Sequence, residues 1–284
     1  MRQDLELLDR HMARQAATKT GIYLYAVASP SAALAVEGRA QPGPAHGPAG
    51  IGGGAVYSIR YGRLAAVVSD VPNGKLRPER RNLATHYAVL KQLMAQGAVL
   101  PMAFGTIAEN EEGIRRILRS HEHLLIEQLK RVEGKVEMGL RVFWNVTNIF
   151  GHFANAFQEL RDLRDRLFRP GHVPSVQEKM ALGRVFAQML ADKRMIHART
   201  VIGALRDSCF EIKETPPRED REVMDLACFI AKNAQADFEQ AVRQAARPFD
   251  DTYTFDISGP FPPQNFVDLN LSMQDIRNER ASCS

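Results

Sequence analysis

Tyr253-Thr254-Phe255-Asp256-Ile257-Ser258-Gly259-Pro260-Phe261-Pro262-Pro263-Gln264-Asn265-Phe266 joins two kinds of chain. Tyr253 to Ile257 alternates apolar and polar residues, and a period of two is that of a half-buried strand. Glycine then frees the backbone and three prolines stiffen it. Proline has no amide donor and fixes φ, so this run is not expected to continue as a central strand or to become a helix. Phe261 and Phe266 therefore ride on a stiff, partly polyproline-like strap. Phe261, Pro262, Pro263 and Phe266 are the candidate site residues, either as a latch onto the chain's own body or as a docking surface for a partner.

Working back from that strand, Ala234, Phe238, Ala241, Val242 and Ala245 recur at helical spacing. Val223 to Ile230 reads as a strand with Met224, Leu226, Cys228 and Ile230 on one face. A short strand at Phe210 to Lys213 is punctuated by Pro216-Pro217. Ser175-Val176-Gln177-Glu178 is a capping box. It opens a long helix running to about Leu205 through Leu182, Phe186, Met189 and Ile196. Before it, Ile149, Phe153, Ala156, Leu160, Leu163 and Leu167 form a continuous helical seam of coiled-coil type, expected to pair with the long helix as an antiparallel hairpin. Leu140, Val142, Trp144 and Val146 alternate as a strand. The order strand, helices, strand, strand, helix, strand is the split βαβ, or ferredoxin-like, arrangement.

The first half has related content. Gly21 to Ala28, GIYLYAVA, is a buried strand rich in aromatic and β-branched residues. Val56 to Tyr61 and Leu64 to Val68 flank Gly62-Arg63 as a hairpin. Pro78 suits a first helical residue, ahead of Leu83, Tyr87, Leu90 and Met94 at helical spacing. Val99 to Ile107 is an apolar run whose proline points to an edge or a bulge. A single amphipathic helix with Ile114, Ile117, Leu118, Leu125, Leu129 and Val132 follows, ending at Gly134. The expected fold class is α+β, with two domains built on antiparallel sheets, the second ferredoxin-like with a long helical hairpin. The expected segments are a leader at 1–20, a first domain at 21–134 with a flexible Gly/Pro loop at 37–54, a second domain at 135–258, and the strap and tail at 259–284.

Composition excludes several classes. At 45% hydrophobic and 25% charged residues the chain is an ordinary soluble globular protein. No uninterrupted apolar run reaches the ~18–20 residues a membrane span needs, so no membrane partner is expected. Met1 to Thr20 mixes acids and bases without an apolar core, unlike an export signal. A cytoplasmic protein is expected. The net charge of +4 and pI near 9.0 would signal nucleic acid only if Lys and Arg clustered on one face. They are interspersed with acids, so no nucleic acid is expected. A nucleic-acid-binding regulator with a ferredoxin-like domain remains the second reading, although no strand carries the exposed stacking aromatics of RNA-recognition sheets.

The chemistry-bearing residues are scattered. Cys209, Cys228 and Cys283 match no zinc spacing, and the first two read as small buried hydrophobes. His121 and His123 are two apart and point to different faces of a helix; His86, His152 and His197 stand alone. Gly50 to Ala55 satisfies G-x-G-x-x-G/A but precedes a strand instead of opening a helix. Glu109, Glu111 and Glu112 gather at a helix start, where acids favour the dipole. Asp162 and Asp165 belong to a solvated helix face. No catalytic, cofactor-binding or metal-ligating residue is expected.

Four stretches in fixed order, GIYLYAVA at 21–28, VLPMAFGTI at 99–107, GLRVFWN at 139–145 and GPFPPQNFV at 259–267, together resemble the gas vesicle protein L/F family, GvpL/GvpF. The resemblance runs from about Gly21 to Val267. It implies two α+β domains, an accessory role in gas vesicle formation without enzymatic activity, and interaction with the small hydrophobic shell protein GvpA. Family tails commonly read GPWPPYSF. Here Phe261 stands in place of Trp and Gln264-Asn265 in place of Tyr-Ser, which keeps the prolines and reduces the aromatic area.

Overall fold

The computed structural model describes residues 20–36, 49–72 and 76–269. Most of the expected leader, loop residues 37–48, and the tail beyond 269 with Cys283 lie outside the described residues. The chain forms two compact units, one of 20–134 together with 261–269 and one of Lys135–Pro260.

The first unit is a five-stranded antiparallel sheet. β1 (Thr20–Ala28), β2 (Val56–Tyr61), β3 (Leu64–Pro72) and β4 (Val99–Pro101) take the order β2-β3-β1-β4, and β5 (Ile107–Ala108) also pairs with β1. Gly62, at φ +54, opens the two-residue β2–β3 turn, where a positive φ matches the strand twist. The register of β1 against β3 shifts between Leu24 and Ala26, which puts a bulge at Tyr25. Helices α1 (Pro30–Ala33), α2 (Arg80–Gln96), α3 (Glu111–Ser120) and α4 (Glu122–Val132) pack on this sheet. Tyr23 and Tyr25 lie against His86 of α2. Leu24 and Val27, paired with Val68 and Ala66, face the other way and are equally buried, so β1 is covered on both faces. Such a strand reads as a nearly unbroken apolar run.

The second unit contains β6 (Lys135–Trp144), α5 (Ile149–Ala156), α6 (Gln158–Leu167), α7 (Val176–Leu205), β7 (Glu211–Thr215), β8 (Glu222–Ala231), α8 (Gln235–Ala246) and β9 (Tyr253–Phe261). Its sheet order is β7-β8-β6-β9, with β6 and β7 both antiparallel to β8. Val136, Met138, Leu140, Val142 and Trp144 are buried on one face of β6. The first four meet Ile230, Cys228, Leu226 and Met224 across the ladder. Trp144, Phe153 and Phe186 form an edge-to-face chain with centroids 5.4 and 5.7 Å apart, which ties β6, α5 and α7 together.

Several element boundaries depart from the sequence reading. The final strand continues through Pro260 to Phe261. β9 ends the sheet order, and an edge strand has one side without a ladder, where proline is tolerated. The seam from Ile149 to Leu167 is two helices broken at Phe157, whose backbone is extended (φ −115°, ψ 116°). Arg161 donates to the carbonyls of Ala154 and Asn155, satisfying acceptors that the end of α5 exposes. The helix expected across Ile114 to Val132 likewise divides at His121 (φ −117°, ψ 16°). Its apolar residues stay buried on both sides of the break. α2 starts at Arg80 with Glu79 as its cap, two residues after the proline expected to open it. Tyr87 and Ile196 are exposed; the buried face of α2 is formed by His86, Val89, Leu90, Leu93 and Met94.

Candidate functional site

The strap begins within the last residues of β9. Gly259 has a φ of +116°. A Cβ there would come within 3.0 Å of the Glu137 carbonyl and the Met138 sulfur, so both the dihedral and the close approach favour glycine. Beyond it, Pro262 and Pro263 are buried. A short 3-10 turn, Gln264–Phe266, follows. The Gln264 amide donates to the Pro262 carbonyl at 2.7 Å, and the Phe266 amide to the Pro263 carbonyl at 3.2 Å. The turn sends the two aromatic residues to different fates. Phe266 is only 1% exposed, whereas Phe261 is 40% exposed. The four candidate residues thus form one continuous segment with a buried proline pair, a buried anchor and one open ring.

Two polar clusters escaped the sequence reading. In the first unit the Tyr23 hydroxyl lies 2.9 Å from His86 Nδ1 and accepts from the Gly105 amide. The Tyr25 hydroxyl lies 2.9 Å from Ser69 Oγ and accepts from the Ile51 amide at 2.8 Å. Burial pushes His86 down to about 4, against the opposing effect of its bond to the Met102 backbone. Burial raises both tyrosines. The group is therefore neutral and internally satisfied.

In the second unit, Arg141 Nε and Nη2 donate to Glu222 Oε1 at 2.8 and 2.6 Å, and the Arg218 amide donates to Oε2 at 2.6 Å. Burial alone would raise the Glu222 carboxyl. The Arg218 amide and the Arg141 guanidinium outweigh it and hold the group below its usual range. Arg141 stacks on Phe143, 4.7 Å from its centroid. Arg194 donates to the carbonyls of Glu222, Glu219 and Asp220, fixing the turn before β8. Both oxygens of Glu222 are occupied, so the cluster braces the sheet.

Cys228 is buried and Cys209 half-buried. The G-x-G-x-x-G/A match forms a 3-10 turn at Ile51–Gly53 ahead of β2, without the helix that a dinucleotide site requires. Among the described residues, no group of three or more His, Cys, Asp or Glu is placed to hold a metal ion, and no helix is long and apolar enough to cross a membrane.

Large apolar side chains are exposed where α6 turns into α7, namely Phe168, Val173, Val176 and Met180. The sequence signal was their phase. Val176 and Met180 fall outside the set that includes the buried Leu182 and Leu190.

The family model for gas vesicle synthesis protein GvpL/GvpF matches residues 21–268. Gas vesicle protein F of Streptomyces sp. (strain CB03234) is 28% identical over 213 residues, covering 75% of this chain and 88% of that protein. Gas vesicle protein L of the same strain is 32% identical over 133 residues, covering 43% and 47%. The crystal structure of GvpF from Anabaena sp. PCC7120 superposes with a TM-score of 0.71 at 22% identity, covering 88% of this chain and 99% of that one. The GvpF structure from Microcystis aeruginosa gives 0.69 at 20% identity. These two likenesses establish a shared α+β fold. The match across both units, from the first residues of β1 to the strap, assigns the chain to the GvpL/GvpF family of gas vesicle synthesis proteins.

Proposed function

We propose that this protein is an accessory factor of gas vesicle formation that acts by binding the small hydrophobic shell protein GvpA, without catalysing a reaction. The observation that carries this reading is the family match over residues 21–268, which takes in both units and the strap. The chemistry of the two polar clusters agrees with it. Each is closed on itself through the bonds of Tyr23, His86, Arg141 and Glu222, as suits side chains that brace their own unit. The protein would work in the cytoplasm, associated with the vesicle as it assembles.

Within the strap, Pro262, Pro263 and Phe266 are read as the latch that fixes the segment, and Phe261 as the ring left open for a partner. This division follows their burial. Covering apolar surface gains about 25 cal/mol per Å², so a shell subunit with exposed apolar area is a suitable partner for such a surface. A strain lacking the gene tests the role. It should lose gas vesicles in electron micrographs and regain them when the wild-type chain is restored. Normal vesicles without the gene would count against it.

A further inference from the structure

Cys209 and Cys228 are far apart in a local reading of the sequence, and the sheet of the second unit brings them together. Cys228 lies inside β8, opposite Ile212 of β7. The β7 register sets Glu211 beside Phe229. Carried back without interruption, it would leave Cys209 on the opposite face from Cys228. The Phe210 amide, however, donates to the Phe229 carbonyl at 2.8 Å, so Phe210 and Glu211 both stand against Phe229. That extra residue is a bulge, and it shifts the alternation of the incoming chain by one. The aromatic side chains show the result. Phe210 and Phe229 share one face, with centroids 6.2 Å apart and Lys135 Nζ 5.0 and 5.5 Å from the two rings. Cys209, in extended backbone just before the bulge (φ −128°, ψ 138°), and Cys228, just before Phe229, both take the other face. There the two thiols are hydrogen-bonded to each other.

The pair is asymmetric. Cys228 is fully buried, whereas Cys209 is partly open to solvent. The shared hydrogen bond lowers the Cys209 thiol and raises that of Cys228, which burial raises further. The thiolate is the reactive form of cysteine, so the sulfur that solvent reaches is also the one that ionises first. The sulfur held beside it stays protonated and protected. A reachable nucleophile next to a resolving thiol is the arrangement that redox chemistry needs.

We infer that Cys209 and Cys228 are a redox-active pair, which hydrogen peroxide converts to a disulfide joining the chain before β7 to β8. The Cys209 thiolate attacks one peroxide oxygen, the O–O bond breaks, and the released hydroxide takes up the proton lost from Cys209 as water. Cys209 is then a sulfenic acid. The Cys228 sulfur attacks it, the S–O bond breaks as the S–S bond forms, and the hydroxyl leaves with the Cys228 proton as a second water. The two thiols lose two electrons and the peroxide gains them. The link pins the edge strand β7, which pairs in the sheet order with β8 alone, to its neighbour.

This does not rest on the shell-protein reading, and its readouts are chemical. The folded full chain is exposed to hydrogen peroxide until exposed Met180 oxidises, then denatured in maleimide and digested with trypsin. Cys209, Cys228 and Cys283 fall in separate peptides, 207–213, 222–232 and 281–284. Mass spectrometry should find 207–213 joined to 222–232, with loss of maleimide labelling at both cysteines and its recovery after dithiothreitol. Dimedone, which traps sulfenic acid, should label Cys209 and block the link. Cys209→Ser, checked for folding by far-UV circular dichroism, should leave Cys228 a free thiol. The inference is overturned if both cysteines stay free once Met180 is oxidised, or if Cys209 passes to the sulfinic acid beside a free Cys228. It is overturned equally if Cys209 links only to Cys283 or to another chain, or if the 207–213 to 222–232 link forms only in urea.

Discussion

The Tyr23 hydroxyl and His86 Nδ1 lie 2.9 Å apart, joining the central strand of the first sheet to the helix that covers it. The ring is buried, and burial pushes its imidazole from 6.5 to about 4. The unfolded chain binds a proton near pH 6.5 that the folded chain refuses until about pH 4. Stability from this group is therefore complete above about pH 6.5 and declines as pH falls through the interval. The fall in pKa corresponds to on the order of 3 kcal/mol. Denaturant unfolding at stepped pH should show this loss, and His86→Gln, which cannot titrate, should flatten it. Carboxylates held low, such as Glu222, lose their contribution only below the usual carboxylate range, so the two effects separate along the pH axis.

Phe266 and Phe261 should respond differently to truncation. Replacing the buried Phe266 by Ala removes a core ring and should cost about 3–5 kcal/mol, seen as a lower denaturation midpoint. Phe261→Ala removes a ring that is 40% exposed and should cost less than half as much. Equal losses would refute the division of the strap into a buried anchor and an open ring.

Arg141 and Glu222 should show an asymmetry typical of buried ion pairs. Arg141→Ala leaves an ionised carboxylate buried with only the Arg218 amide as donor, and should cost about 2–3 kcal/mol. Glu222→Gln removes the buried charge and leaves Arg141, which is partly open to solvent, free to hydrate. It should cost less. Urea midpoints for the two variants check the order.

Much of the fold was legible in local pattern. GIYLYAVA, the alternating Leu140 to Trp144, and the Ser175–Glu178 capping box all mark real elements, because each depends on neighbours within a few residues. The breaks at His121 and Phe157 were hidden because apolar residues keep helical spacing across them. What ends α5 is a backbone change, with carbonyls taken by Arg161 from the following helix. The proline in β9 misled for a related reason. Whether proline stops a strand depends on edge or centre, and sheet order is not a local property. His86 looked like an isolated helical histidine because its partner Tyr23 is 63 residues away. Glu222 meets Arg141 across 81 residues. In the strap, the prolines and rings marked the candidate segment, but only the turn at Gln264–Phe266 decides which ring is buried.

The most direct measurement is co-expression of the tagged full chain with GvpA, followed by purification and mass spectrometry of what is retained. GvpA should be retained by the wild type, and Phe261→Ala should reduce its recovery while the denaturation midpoint stays close to that of the wild type. Purification of the folded chain without GvpA, and without any other gas vesicle protein in a pairwise screen, would contradict the proposed role.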